Sequence, residues 1–175
     1  MRVNLLHAHP LEDSFSAALR SRAVSALTRA GHEVVLSCLG TGDDPGPRSC
    51  DLAGTDALVF VHPVWWGGPP APLLAWIQRE LGPWIDSSDQ GESPLRSVKH
   101  LVAVVTHGSS RLVNTLQGEP GRQLLRRSVL PLCAAGARLE WIALYQLDRL
   151  SRQELDLFLA HVDVELARLT TAAGA

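Results

Sequence analysis

Hydrophobic positions along the chain alternate between short apolar runs and longer stripes at helical spacing. Residues 3–6, apolar but for Asn4, form a run of strand length, and Phe15, Leu19, Ala23 and Leu27 follow every fourth residue, with Gly31 as a helix stop. Residues 33–39, β-branched and aliphatic, predict a second strand, and residues 40–54, rich in Gly, Pro and Asp, predict a surface loop. The third strand, 57–61, is apolar on both faces, as a strand covered by helices on each side must be. Leu73, Leu74, Ile77 and Leu81 predict a helix over 71–81, with Pro72 in the first turn, where its missing N–H is not needed. Residues 82–97 are polar and irregular, and 101–105 is the fourth strand. Residues 121–133 carry a helical stripe in which Pro131 should kink or shorten the last turn. A fifth strand over 137–145 is followed by Ser151 and Glu154 at capping-box spacing, opening a helix lined by Leu155, Phe158, Val162, Leu166 and Leu169.

Five strands alternating with four helices mean an α/β protein, a parallel sheet with helices on both faces. The 175 residues fit one domain, 1–175, and a 46% hydrophobic fraction is too high for a disordered chain. The net charge of −2, with acids and bases interspersed, argues against a nucleic-acid partner or a polybasic membrane patch. No apolar run approaches the roughly 20 residues needed to span a bilayer, so membrane insertion is not expected. The first residues enter a strand pattern directly, and Cys38, Cys50 and Cys133 form no Cys-x-x-Cys pair; both features lead us to expect a cytoplasmic protein.

In such sheets ligands sit beyond the carboxyl ends of the strands, where the winding order reverses. After strand one, residues 7–16 lead straight into a helix, whose N-terminus, with Ser14, Ser16 and His9, could hold a phosphate; a plain cap by Asp13 or Ser14 explains the same residues. Glu12 and Asp13 would oppose an anion there unless they point to solvent. After strand three come two adjacent indoles, Trp65 and Trp66, among prolines and glycines. At most one of them should face a planar ligand, and packing under the next helix or at a subunit contact is the alternative. After strand four, Thr106-His107-Gly108-Ser109 can aim backbone N–H groups at a developing negative charge.

These segments, in order, resemble the NAD(P)H:quinone oxidoreductase, or flavodoxin-2, family. His9-Pro10 with Ser14-Phe15-Ser16 is similar to its phosphate loop. Pro63-Val64-Trp65-Trp66 followed by the Pro70 to Leu81 stretch is similar to its Pro-x-x-Trp…Pro-Ala-x-Leu-Lys-Gly-Trp segment, and residues 106–109 to its Thr-Thr-Gly-Gly turn. The resemblance implies a flavodoxin-like three-layer sandwich with a five-stranded parallel sheet in the order 2-1-3-4-5. It further implies non-covalent FMN, with FAD as the alternative: His9, Ser14, Phe15 and Ser16 would hold the phosphate. Pro63, Val64, Trp65, Trp66 and Gly67 would line the isoalloxazine, and Thr106, His107, Gly108 and Ser109 its pyrimidine edge. A homodimer with the site at the subunit boundary is implied as well, as is ping-pong reduction of a quinone-like acceptor by NAD(P)H, with His107 able to supply a proton. Ser16 stands where the family has asparagine, Ala75 near its Lys-Gly, and Ser109 at its second glycine. Asn114 or Thr115 lies near the place of a frequent tyrosine.

Other readings remain beside this one. A flavin-binding ancillary subunit of a potassium efflux system and a biosynthetic flavoenzyme acting on a quinone-like natural product fit the same resemblance. His7, His9, His62 and His107 all fall near strand ends and would form a metal site if they converged, although no ligand spacing fixes that geometry and none is expected. No Gly-x-Ser-x-Gly elbow supports a serine hydrolase, and no Gly-x-Gly-x-x-Gly supports a dinucleotide fold.

Overall fold

A computed structural model describes residues 1–40, 46–85 and 93–169. Parts of the loop expected over 40–54, of the irregular stretch over 82–97, and the last residues of the 1–175 domain lie outside the described residues. The elements run β1 (Arg2–Ala8), α1 (Phe15–Arg29), β2 (Glu33–Leu39), β3 (Ala57–Val64), α2 (Ala71–Ile85), β4 (His100–His107), α3 (Arg111–Leu116), α4 (Pro120–Leu124), β5 (Arg138–Leu144) and α5 (Arg152–Ala167). The strands form one parallel sheet in the order β2-β1-β3-β4-β5, the three-layer flavodoxin-like arrangement expected from the sequence.

Two cores flank the sheet because alternate strand residues point to opposite faces. Val3, Leu5, Val59, Val61, Val102 and Val104 face α1 and α5, meeting Leu19, Leu27, Phe158 and Val162. Leu6, Ala8, Phe60, Ala103 and Val105 face the other side, meeting Leu73, Trp76 and Leu81 of α2 and Leu125 and Val129 beyond α4. Arg22 and Arg29 reach Asp163 across the α1–α5 contact.

Besides α2 running on to Ile85, through residues expected to be irregular, the structure corrects the sequence reading in three places. First, β1, β3 and β4 run two or three residues past their expected ends, taking in His7, His62, Pro63, Val64, Thr106 and His107. Their polar side chains suggested loop, but His7, His62, Thr106 and His107 are buried within the strands. Second, the single helix expected over 121–133 breaks into α4, a π-turn at Leu125–Val129 and a 3-10 turn at Leu130–Leu132. Pro131 has no N–H to give and its ring crowds the carbonyl four residues back, so the helix widens ahead of it; the Leu130 N–H donates to the Leu125 carbonyl. Third, five α-helices are found among the described residues where four were expected, because α3 is too short to show a period. Ser110 caps it by accepting from the Val113 N–H.

Candidate functional site

Three loops meet at the carboxyl ends of β1, β3 and β4, where the strand order reverses between β1 and β3. The first leads into α1. Ser14 is its N-cap, accepting from the Ala17 N–H at 3.1 Å and donating to the Leu11 carbonyl at 2.9 Å. The N–H groups of Phe15 and Ser16, ahead of that bond, belong to the set that a helix leaves without intrahelical partners. His9 Nδ1 accepts from the Leu11 N–H at 3.0 Å, folding the loop back on itself. Glu12 and Asp13 are exposed, and the Glu12 charge is paired with Arg20 at 3.0 Å. The Ser16 hydroxyl is buried and lies 3.1 Å from His7 Nε2, so of its polar groups the backbone N–H is the one left for an anion. Burial, reinforced by the Arg20 and His9 charges, lowers the pKa of His7 to about 4. Phe15 packs against the α1–α5 core.

The second loop is a tight turn. Trp65 and Gly68 exchange both backbone hydrogen bonds, at 2.9 and 3.0 Å, leaving Trp66 and Gly67 at its tip with φ of 53° and 84°. Two consecutive positive φ values make a type I′ turn, which favours Asn-Gly. Gly67 suits its position, whereas Trp66 holds a left-handed conformation that costs a bulky residue about 1–2 kcal/mol. Its indole is fully exposed, and Trp65 is 42% exposed. Trp65 leans on His9, ring centroids 5.5 Å apart, joining the first loop to the second. Replacing Trp66 by Asn should raise stability by about 1 kcal/mol, seen as a melting point a few degrees higher. If the indole is an acceptor platform, turnover of aromatic acceptors falls in the same variant.

The third loop follows β4. Gly108 and Ser109 are exposed at its turn, and a side chain at Gly108 would meet Asp148 Oδ2 at 3.4 Å. Asn114, buried on α3, donates to Ser109 Oγ and to the Ser110 carbonyl, both at 2.8 Å, and fixes the turn. The segment after β5 closes on the same turn, the Gln146 N–H donating to the Ser109 carbonyl at 3.1 Å. His107 is buried at the end of β4 with its ring flat against Tyr145, 4.6 Å away and 18° from parallel. Neither ring nitrogen has a well-formed hydrogen bond among the described residues, though the Asn114 side chain lies alongside. Burial lowers the His107 pKa, against the opposing pull of Asn114 and the Glu119 carboxylate, so the ring is neutral at pH 7.

The four histidines do not converge. His7 sits with Ser16 on the α1 face, while His62 and His107 share the opposite face, where they are electrostatically coupled. His62 donates from Nδ1 to the Pro63 carbonyl at 2.8 Å, and burial lowers its pKa to about 4. Among the described residues no cluster of three or more His, Cys, Asp or Glu could hold a metal.

Sequence reasoning singled out neither Tyr145 nor Glu119. Both stand at the rim: the Tyr145 hydroxyl donates to Glu119 Oε1 at 3.2 Å, and Pro120 lies under the tip of the type I′ turn. Tyr145 follows β5 directly, so the strand-end rule applied to the fifth strand would have found it. Glu119 carried no signal of its own.

The flavodoxin-2 family, described by its flavodoxin-like fold, matches residues 1–156. The chain belongs to this family. Solved structures of the same fold include Smu.1420 from Streptococcus mutans UA159, with 21% identity over 97% of this chain and 100% of that one and a TM-score of 0.76. The NAD(P)H:quinone oxidoreductase from Methanothermobacter marburgensis is similar at 18% identity, 100% and 98% coverage and TM-score 0.74. An FMN-dependent NADH-azoreductase from Bacillus anthracis str. Ames Ancestor, solved with FMN, is similar at 12% identity, 95% and 98% coverage and TM-score 0.74. At these identities the likeness establishes a shared fold.

The rim fits FMN on this chain's own chemistry. A helix N-terminus whose neighbouring Glu12 is paired with Arg20 suits the phosphate. Two accessible indoles suit a planar ring, and the 108–109 turn suits its polar edge. Among the described residues no helix is long and apolar enough to cross a membrane.

Proposed function

We propose that the protein is an FMN-dependent NAD(P)H oxidoreductase that reduces quinones or similar electron-poor aromatic acceptors by a ping-pong mechanism. The observation that carries this reading is the meeting of an anion-ready helix N-terminus, an exposed indole turn and a backbone N–H turn at the switch point of the sheet. The two neighbours named above as an oxidoreductase and an azoreductase favour the same class.

Bound FMN would supply the two-electron chemistry, and the protein's share is binding, orientation and electrostatics. The Phe15 and Ser16 N–H groups would hold the phosphate, with Ser14 keeping the helix start in place and His9 flanking it. Pro63, Val64, Trp65, Trp66 and Gly67 would form one wall, and Thr106 would close the strand end behind it. The Gly108 and Ser109 N–H groups would face the edge where reduction leaves negative charge. His107, neutral and buried beneath that turn, would be the nearest side chain able to accept a proton.

A second copy of the chain would complete the site. Trp66, Leu112 and Leu116 stand exposed beside the rim, and a homodimer would cover them. The cytoplasm suits the three thiols, none of which is in a disulfide.

Absorbance of the purified protein tests the reading. Yellow protein, or colourless protein that takes up FMN, is expected to bleach with NADH or NADPH and to recover its colour on adding a quinone. Failure to take up flavin overturns the proposal. A flavin that NAD(P)H does not reduce points instead to the ancillary-subunit role.

A further inference from the structure

Glu119 is held in a way that its sequence position does not require. Its φ of 46° and ψ of 58° place it in the left-handed region, although Gly118, beside it at φ 79°, is the residue expected to absorb such a turn. It makes no capping bond to α4, the helix it precedes. Its carboxylate instead accepts from the Tyr145 hydroxyl at 3.2 Å and from Arg122 Nη1 at 3.0 Å, with the side chain only 16% exposed. A non-glycine residue kept in a sparsely populated conformation needs surroundings that over-determine it, and such residues cluster at functional sites.

The two ties have different directions. Arg122 anchors the carboxylate from its own helix. Tyr145 links it to β5 and, through the stacked ring, to His107 at the end of β4. Glu119 also stands where the loops after β3 and β4 come together: its N–H donates to the Asn114 carbonyl at 3.1 Å, and the adjoining Pro120 and Gly121 lie close to Gly67 and Pro69. On its outer side Glu119 lines a cavity of about 710 Å³ against β5, together with Arg111, Trp141, Tyr145 and His161. Water and protons therefore have access to Glu119 from a side away from the flavin rim.

We propose that Glu119 is a positioning residue for the rim, holding the Tyr145 ring flat on His107 and placing one fixed negative charge behind that imidazole. The assignment deepens the flavin reading and rests on it for its purpose: a charge-compensated imidazole beneath the 108–109 turn can take up a proton when negative charge develops above it. The groups facing His107 are few. Burial opposes its protonation, Glu119 favours it, and Asn114 on α3 lies alongside; the His107 charge in turn disfavours protonation of His62 on β3. Arg111 acts on the Tyr145 phenol, whose own pKa is raised by burial and by Glu119 and which therefore stays protonated as the donor. Asp148 lies beside Gly108.

The test needs no flavin. The His107 ring is titrated by NMR in the unloaded protein for the wild type, Glu119→Gln, Tyr145→Phe and the double variant. The expected result is a downward shift of the His107 midpoint in Glu119→Gln and a smaller downward shift in Tyr145→Phe, which frees the carboxylate to turn toward water. The double variant should shift no further than Glu119→Gln alone. Glu119→Asp, which keeps the charge, should restore part of the shift. A His107 midpoint unmoved in Glu119→Gln, or shifts that simply add, overturns the assignment. Thermal melts identify a variant that has lost its fold rather than its linkage. In FMN-loaded protein, the pH at which the flavin midpoint potential changes slope should move with the His107 midpoint. If the wild type binds no FMN, the flavin reading and the purpose given to the linkage both fail, while the titration still decides the linkage itself.

Discussion

Lowering the pH from 7 to 4 is expected to remove most of the protein's stability. His7 and His62 are both held near pKa 4 by burial, against an ordinary value of 6.5. Between those values the unfolded chain binds two protons that the folded chain refuses, so stability falls as pH falls through that window and levels off below about 4. Each histidine contributes on the order of 3 kcal/mol to the loss. The sum is comparable to the roughly 5–15 kcal/mol that holds a domain together. His107, shifted in the same direction, adds to it. Far-UV circular dichroism and tryptophan fluorescence should report a cooperative transition between pH 6 and 4, and His7→Gln, which removes one titrating ring, should move it to lower pH. A fold equally resistant to urea at pH 7 and pH 4.5 would show that these imidazoles are not held neutral.

Trp76→Ala is expected to be the most damaging single substitution near the site. The indole is fully buried in α2, edge-on to Phe60 at 6.0 Å, and its N–H donates to the Pro47 carbonyl at 2.9 Å. Truncation removes the packing, leaves a cavity and orphans that carbonyl, for a loss of about 3–5 kcal/mol. Trp76→Phe keeps most of the volume and should cost a fraction of that. Urea unfolding monitored at both substitutions should show a lower midpoint with an unchanged slope. Because α2 begins directly after the turn that carries Trp65 and Trp66, flavin affinity should fall with stability in the alanine variant. Near-native stability in Trp76→Ala would mean that the region between β2 and β3 packs elsewhere.

Much of the site was legible because it depends on local chemistry. Ser14 before an apolar stripe is a helix start wherever it occurs, and the structure finds it capping α1. Paired glycines and prolines around two tryptophans announce a turn, and the turn is there. The histidines were harder to place. A polar residue after an apolar run ends a strand on periodicity alone, whereas His7, His62 and His107 continue their strands because neighbouring strands pair with their backbones and the layered fold covers their side chains. Only the assembled sheet supplies that cover, and with it the burial that keeps the rings neutral.

Glu119 and Tyr145 mark the other boundary of what sequence can reveal. Twenty-six residues separate them, and neither has an unusual neighbourhood in the chain. The sequence by itself determined the layered α/β architecture and the order of its strands, because hydrophobic period and turn residues act over a few positions. The tertiary structure decided which histidines are buried, that Trp66 sits strained at a turn tip, and that a carboxylate from one loop meets a phenol from another. Those contacts are set by β4 pairing with β5 and by the packing of α3 and α4 over that face, a product of the whole chain closing on itself.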